Sequence, residues 1–135
     1  MNRQSQVFVF KIAATLVFWC LPLLVFPPAW LQALGFPPSP NALFLRLLGW
    51  AYLALCVAYA FGLAASLRGQ HAPGPIWVGI VSNGGACAWL LSFGLSGEWA
   101  AWGGYAALWM WASVAATAGM TLGLYLYGVR VQARD

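Results

Sequence analysis

Apolar residues run through this chain in four long blocks, each separated from the next by a short polar, proline-rich or glycine-rich break. The blocks cover approximately residues 7–26, 43–67, 76–94 and 105–129. A helix needs roughly 20 apolar residues to cross the hydrocarbon core of a bilayer, so each block predicts one membrane span. The breaks carry the chemistry that stops helices: Pro27 and Pro28, then Pro37, Pro38 and Pro40; Gly69, Pro73, Gly74 and Pro75; Gly97, Gly103 and Gly104. Proline lacks an N–H and pushes the preceding residue out of the helical region. The pattern predicts an all-α fold, a single transmembrane domain over residues 1–135 built as a four-helix bundle.

Composition agrees with this reading. Of the 135 residues 63% are hydrophobic and 6% are charged, far from the quarter or so of charged residues in soluble domains. The first block follows a basic N-terminus, as a signal peptide would. No small-x-small cleavage site follows it closely, however, and Phe18 and Trp19 stand before Cys20 where a lipoprotein signal needs small residues.

Charge sets the orientation, because short loops rich in Lys and Arg stay cytoplasmic. Arg3, Lys11, Arg68, Arg130 and Arg134 fall on one side of a four-pass topology, against Glu98 and, just inside the second span, Arg46 on the other. Both termini are therefore expected in the cytoplasm. The net charge of +4 acts as an insertion signal; cations so few and so spread out give no nucleic-acid surface. Trp30, Trp99, Trp102 and Tyr105 are expected at the outer interface, and Trp77 and Tyr127 at the inner one. The apolar segment 31–36 is expected to lie on the membrane or to cap the bundle.

Several function classes lose support. Cys20, Cys56 and Cys87 occur one to a span with no C-x-x-C, so the sequence offers no reactive thiol pair and each cysteine reads as a small hydrophobe. The single histidine, His71, lies in a loop, which excludes intramembrane haem ligation by facing helices. Neither acid falls within a span, which argues against drug/proton exchange, and no metal site is expected.

Two polar features remain. Arg46 sits about 5 Å inside the outer boundary at ~1.5 Å per residue. It either snorkels to the headgroups, binds an anionic headgroup, or pairs with Glu98, and an Arg46–Glu98 ion pair is the predicted contact. The second feature is a layer of Thr15, Tyr59, Asn83 and Thr117, one residue from each span, about 8–15 Å from the inner boundary. This layer is either interhelical hydrogen bonding or the wall of a small cavity suited to a quinone carbonyl or another compact head. Tyr52, Cys56 and Tyr59 share one helix face and would form that wall. Ala115, Gly119 and Gly123, and likewise Gly79, Asn83 and Ala86, form small-residue faces that serve either packing inside the bundle, the expected use, or contact with another chain.

The segment Phe44-Leu45-Arg46-Leu47-Leu48-Gly49-Trp50-Ala51-Tyr52-Leu53-Ala54-Leu55, with Tyr59, and the segment Gly79-Ile80-Val81-Ser82-Asn83-Gly84-Gly85 resemble the second and third helices of small bacterial four-helix membrane proteins of the DoxX-like kind. The resemblance extends to the four-span layout. It implies a bacterial inner-membrane protein near a quinone-linked complex, with Arg46 and Gly49 as shared positions and no catalytic role for either. The expected function is a non-catalytic accessory or assembly subunit of a membrane complex, with a membrane-protein partner or a homo-oligomer. The alternatives are a quinone- or lipid-binding protein without a resident cofactor and, last, a small oligomeric channel or transporter.

Overall fold

The computed structural model describes residues 3–38 and 41–130; Arg134 and the prolyl bond region at Pro40, both used in the sequence reading, lie outside them. The described residues form helices and turns, and no strand occurs among them. Helix α1 runs over Arg3–Val25, α2 over Pro28–Ala33, α3 over Ala42–Leu67, α4 over Pro73–Leu95 and α5 over Gly104–Arg130. All but α2 are long and apolar enough to cross a membrane.

The helices begin earlier than hydropathy alone suggests. Arg3, Gln4, Ser5 and Gln6 continue α1 past its apolar block, where the inner end of the bundle gives Arg3 and Ser5 partners in Tyr127 and Ser66. Ser5 is fully buried and shares a 2.9 Å hydrogen bond with Ser66 of α3. Pro73 and Pro75 lie in the first turn of α4, where a missing N–H costs nothing. Asn41 caps α3 by accepting from the Leu43 N–H.

Helix α1 contains one widened, π-type turn over Leu16–Cys20, where the Leu21 N–H reaches back to the Leu16 carbonyl. Its cause lies just downstream: Pro22 has no N–H for the Phe18 carbonyl and would crowd it in a regular helix. The wider turn sets the consecutive residues Phe18 and Trp19 on the same cavity wall.

Helices α4 and α5 make the most extensive pairing, followed by α1 with α3. Gly79 is what lets α5 approach, since any side chain there would meet Leu124 and Tyr59. Phe8, Tyr59, Ile76 and Leu124 form the fully enclosed core. The expected internal packing of Gly79 is thus present. The other small-residue face behaves differently: a side chain at Gly123 would touch Val7, whereas one at Gly119 would meet nothing within 4 Å. Residues Ala115 and Gly119 line an open groove between α1 and α5 of about 570 Å³.

The outer loops close on one another. After α2 the chain turns at Gly35, with φ +89°, and the Gly103 N–H donates to the Gly35 carbonyl at 3.0 Å. Phe36 then packs against Trp102 and Trp109. The segment 31–36 is therefore a cap on the bundle, one of its two expected placements. Trp99, expected at the interface, is instead 4% exposed and packs edge-on against Trp111.

Candidate functional site

A cavity of about 480 Å³ opens among α1, α3, α4 and α5. Thr15, Tyr59, Asn83 and Thr117, the four residues of the expected polar layer, all line it, together with Tyr52. At its outer end it runs up to Phe36 and Trp109 under the loop cap. Its wall is mostly apolar and aromatic, with polar groups gathered at one depth, which is the usual composition of a small-molecule site.

Lys11 is the residue the sequence reading placed wrongly. It was expected among the cytoplasmic cations, yet it is 6% exposed and lines the cavity. Its Nζ donates to Asn83 Oδ1 at 2.7 Å and stands 4.6 Å from the centre of the Tyr59 ring. An ammonium over an aromatic face is attracted by the ring quadrupole, and more strongly where water is excluded. One signal for this existed in the sequence: Lys11 lies four residues before Thr15, on the same helix face.

The neighbouring hydroxyls are tied into the same cluster. Tyr59 and Ser82 share a 2.8 Å hydrogen bond, and the Asn83 amide donates to the Gly79 carbonyl. Thr117 donates back along its own helix to Ser113 at 2.7 Å. These bonds fix Asn83 so that its carbonyl oxygen faces Lys11. Tyr52 stacks on Trp19 at 5.5 Å, which holds the outer part of the wall.

Cys56, expected on that wall with Tyr52 and Tyr59, is 5% exposed and does not line the cavity. Cys20 of α1 is near enough to interact with it, so two cysteines that looked isolated in the sequence are neighbours in the fold, both as buried free thiols.

Arg46 and Glu98 are not brought together. Arg46 donates to the backbone carbonyls of Leu23 at 2.6 Å and Phe26 at 2.9 Å, and no ion pair joins it to Glu98, which is exposed. The reason is local. Pro27 has no N–H to give the Leu23 carbonyl, and the Trp30 N–H goes to Pro27 rather than Phe26. Both carbonyls at the end of α1 thus lack helical donors, and a guanidinium supplies two N–H groups at the negative end of the helix dipole. The expected Arg46–Glu98 pair is replaced by a cation cap on a neighbouring helix.

No cluster of metal-ligating side chains occurs among the described residues. Compared with known proteins, the chain matches no family model, no curated protein and no solved structure.

Proposed function

We propose that this chain is a membrane-embedded binding protein for a lipophilic molecule with a compact hydrogen-bonding head, of the quinone or lipid class. The observation that carries the proposal is Lys11, held by Asn83 in the wall of an apolar cavity of about 480 Å³. Helix-to-helix hydrogen bonding alone needs no such space. A cavity this size lies within the range of sites that enclose small ligands, and its donors sit at one end of an aromatic channel. Lys11 and Thr15 would orient the head, with the Tyr59 ring behind Lys11, and Phe18, Trp19 and Trp109 would enclose the tail. The proposal assigns no reaction.

The setting proposed is a bacterial inner membrane, in keeping with the DoxX-like resemblance, with both termini cytoplasmic. Support for the orientation is that Arg3, Arg68 and Arg130 share one end of the bundle: Ser5 of α1 meets Ser66 of α3, and Arg3 reaches the Tyr127 hydroxyl of α5.

Quenching of tryptophan fluorescence by a ubiquinone analogue, measured on detergent-solubilised protein, tests the reading. Saturable quenching is expected, abolished by Ala112→Phe, which fills the cavity from an exposed helix face while leaving helix content by circular dichroism unchanged. Equal quenching in both proteins would show that the quinone dissolves in the micelle and not in the site.

A second reading, the accessory or assembly subunit, is favoured by the groove along Ala115 and Gly119. Small residues open to the outside are where a further helix packs closely. A stoichiometric membrane partner retained through mild detergent extraction would establish it.

A further inference from the structure

The cavity contains a cation that no opposite charge faces among the described residues. Lys11 is the single lysine of the chain, and its described surroundings hold one acceptor, Asn83, and one ring, Tyr59. The titratable groups nearest it on the packed helices are Tyr52, Tyr59, Cys20 and Cys56. Phenols and thiols in their ordinary form are uncharged at neutral pH. Among the described residues the one carboxylate is Glu98, exposed in the outer loop. A charge buried in an apolar medium is costly unless an opposite charge faces it.

We infer that the molecule bound in this cavity brings that charge: a long-chain carboxylate whose head pairs with Lys11 and whose chain lies along Phe18, Trp19 and Trp109. This rests on the proposed binding function and names its ligand class. Two further observations fit a carboxylate. Lys11 has three N–H donors, of which Asn83 takes one. The Thr15 hydroxyl in the same wall can donate as well, and a carboxylate only accepts. The chain also has a path out of the bundle. Phe10, Phe18 and Leu108, all more than half exposed, flank the cavity where α1 and α5 diverge, so an amphiphile can slide in sideways from the bilayer.

The test compares hexadecanoate, hexadecanol and methyl hexadecanoate, which share a chain and differ at the head, as ligands of the full chain in a nonionic detergent. The carboxylate is expected to bind at least about tenfold more tightly than the other two, the ratio of a charge-assisted to a neutral hydrogen bond. That preference is expected to vanish in Lys11→Gln. In the wild-type protein, hexadecanoate is expected to protect Lys11 from reductive methylation, read by mass spectrometry against the N-terminal amine. This readout stands even if Lys11→Gln does not fold. Equal affinity for all three, or methylation of Lys11 unaffected by hexadecanoate, overturns the inference and leaves a cavity for neutral ligands. Failure of all three to bind, together with failure of the quinone analogue, overturns the binding function itself.

Discussion

Lys11 Nζ and Asn83 Oδ1 lie 2.7 Å apart, although 72 positions separate the two residues in the sequence. The contact ties α1 to α4 across the cavity, and among the described residues it is the one hydrogen bond that joins a side chain of α1 to a side chain of α4. Its worth is bounded from two sides. Polar contacts between membrane helices average about 0.6 kcal/mol and reach about 1.7. Removing one partner of a buried hydrogen bond costs about 1–3 kcal/mol, because the other is left unsatisfied.

These magnitudes predict a coupled pair. Lys11→Met and Asn83→Leu should each lower stability, and Asn83→Leu should do more harm, since it strands a buried ammonium. The double variant should be more stable than the sum of the two losses implies, by about 1 kcal/mol or more. Unfolding of the four proteins in mixed micelles with increasing denaturing detergent measures this. Strict additivity would mean that the two residues do not interact.

A separate prediction concerns Arg46. Its bonds run to the Leu23 and Phe26 carbonyls, so Glu98→Gln should leave stability unchanged to within about 0.5 kcal/mol, the usual range for an exposed surface site. Arg46→Ala should lower it by about 1–3 kcal/mol. Arg46→Lys should recover part of the loss, since an ammonium reaches one carbonyl more readily than two. A large effect of Glu98→Gln would restore the ion pair and refute the cap.

The four spans were legible because apolar length and helix breakers are properties of local sequence. The polar layer was legible too, since depth follows from counting residues along a helix, and Thr15, Tyr59, Asn83 and Thr117 do converge. Lys11 was misread for the same reason. A start at residue 7 puts it near the boundary, but α1 begins at Arg3, eight positions before Lys11, which places Lys11 about 12 Å into the helix. The helix begins there because Ser5 has a partner in Ser66, 61 positions away, and no local pattern shows that. Arg46 was misassigned by looking for an opposite charge when the nearer need was a carbonyl deprived of its donor by Pro27. Cys20 lies in the widened turn of α1, whose register a regular helical period does not predict, so its nearness to Cys56 was not legible.

The cap over the cavity depends on two glycines. Gly35 adopts φ +89°, and a Cβ there would come within 2.5 Å of the Gly103 Cα. Gly35→Ala should therefore pay twice, in backbone strain of about 1–3 kcal/mol and in separation of the two loops. Gly69 is a control: its φ is also positive, +68°, but nothing lies within 4 Å of its added Cβ. Thermal unfolding should rank the variants with Gly35→Ala well below Gly69→Ala, and near-ultraviolet circular dichroism of the Phe36, Trp102 and Trp109 cluster should change only in the former. Equal effects would mean that the loops are not held together by the close approach.

Orientation is the last prediction, and it decides from which side the cavity head is nearer. The basic residues Arg3 and Arg68 lie at the end of the bundle closer to Lys11, and Glu98 lies beyond the Phe36 cap at the other. If cation-rich ends stay in the cytoplasm, a cysteine at Glu98 faces outward and one at His71 faces inward. The native thiols interfere little, since Cys20 and Cys56 are buried and Cys87 is half-buried. A membrane-impermeant maleimide applied to intact cells should label Glu98→Cys at once and His71→Cys only after permeabilisation. The opposite pattern would invert the protein, and the ligand head held at Lys11 would then lie nearer the outer leaflet.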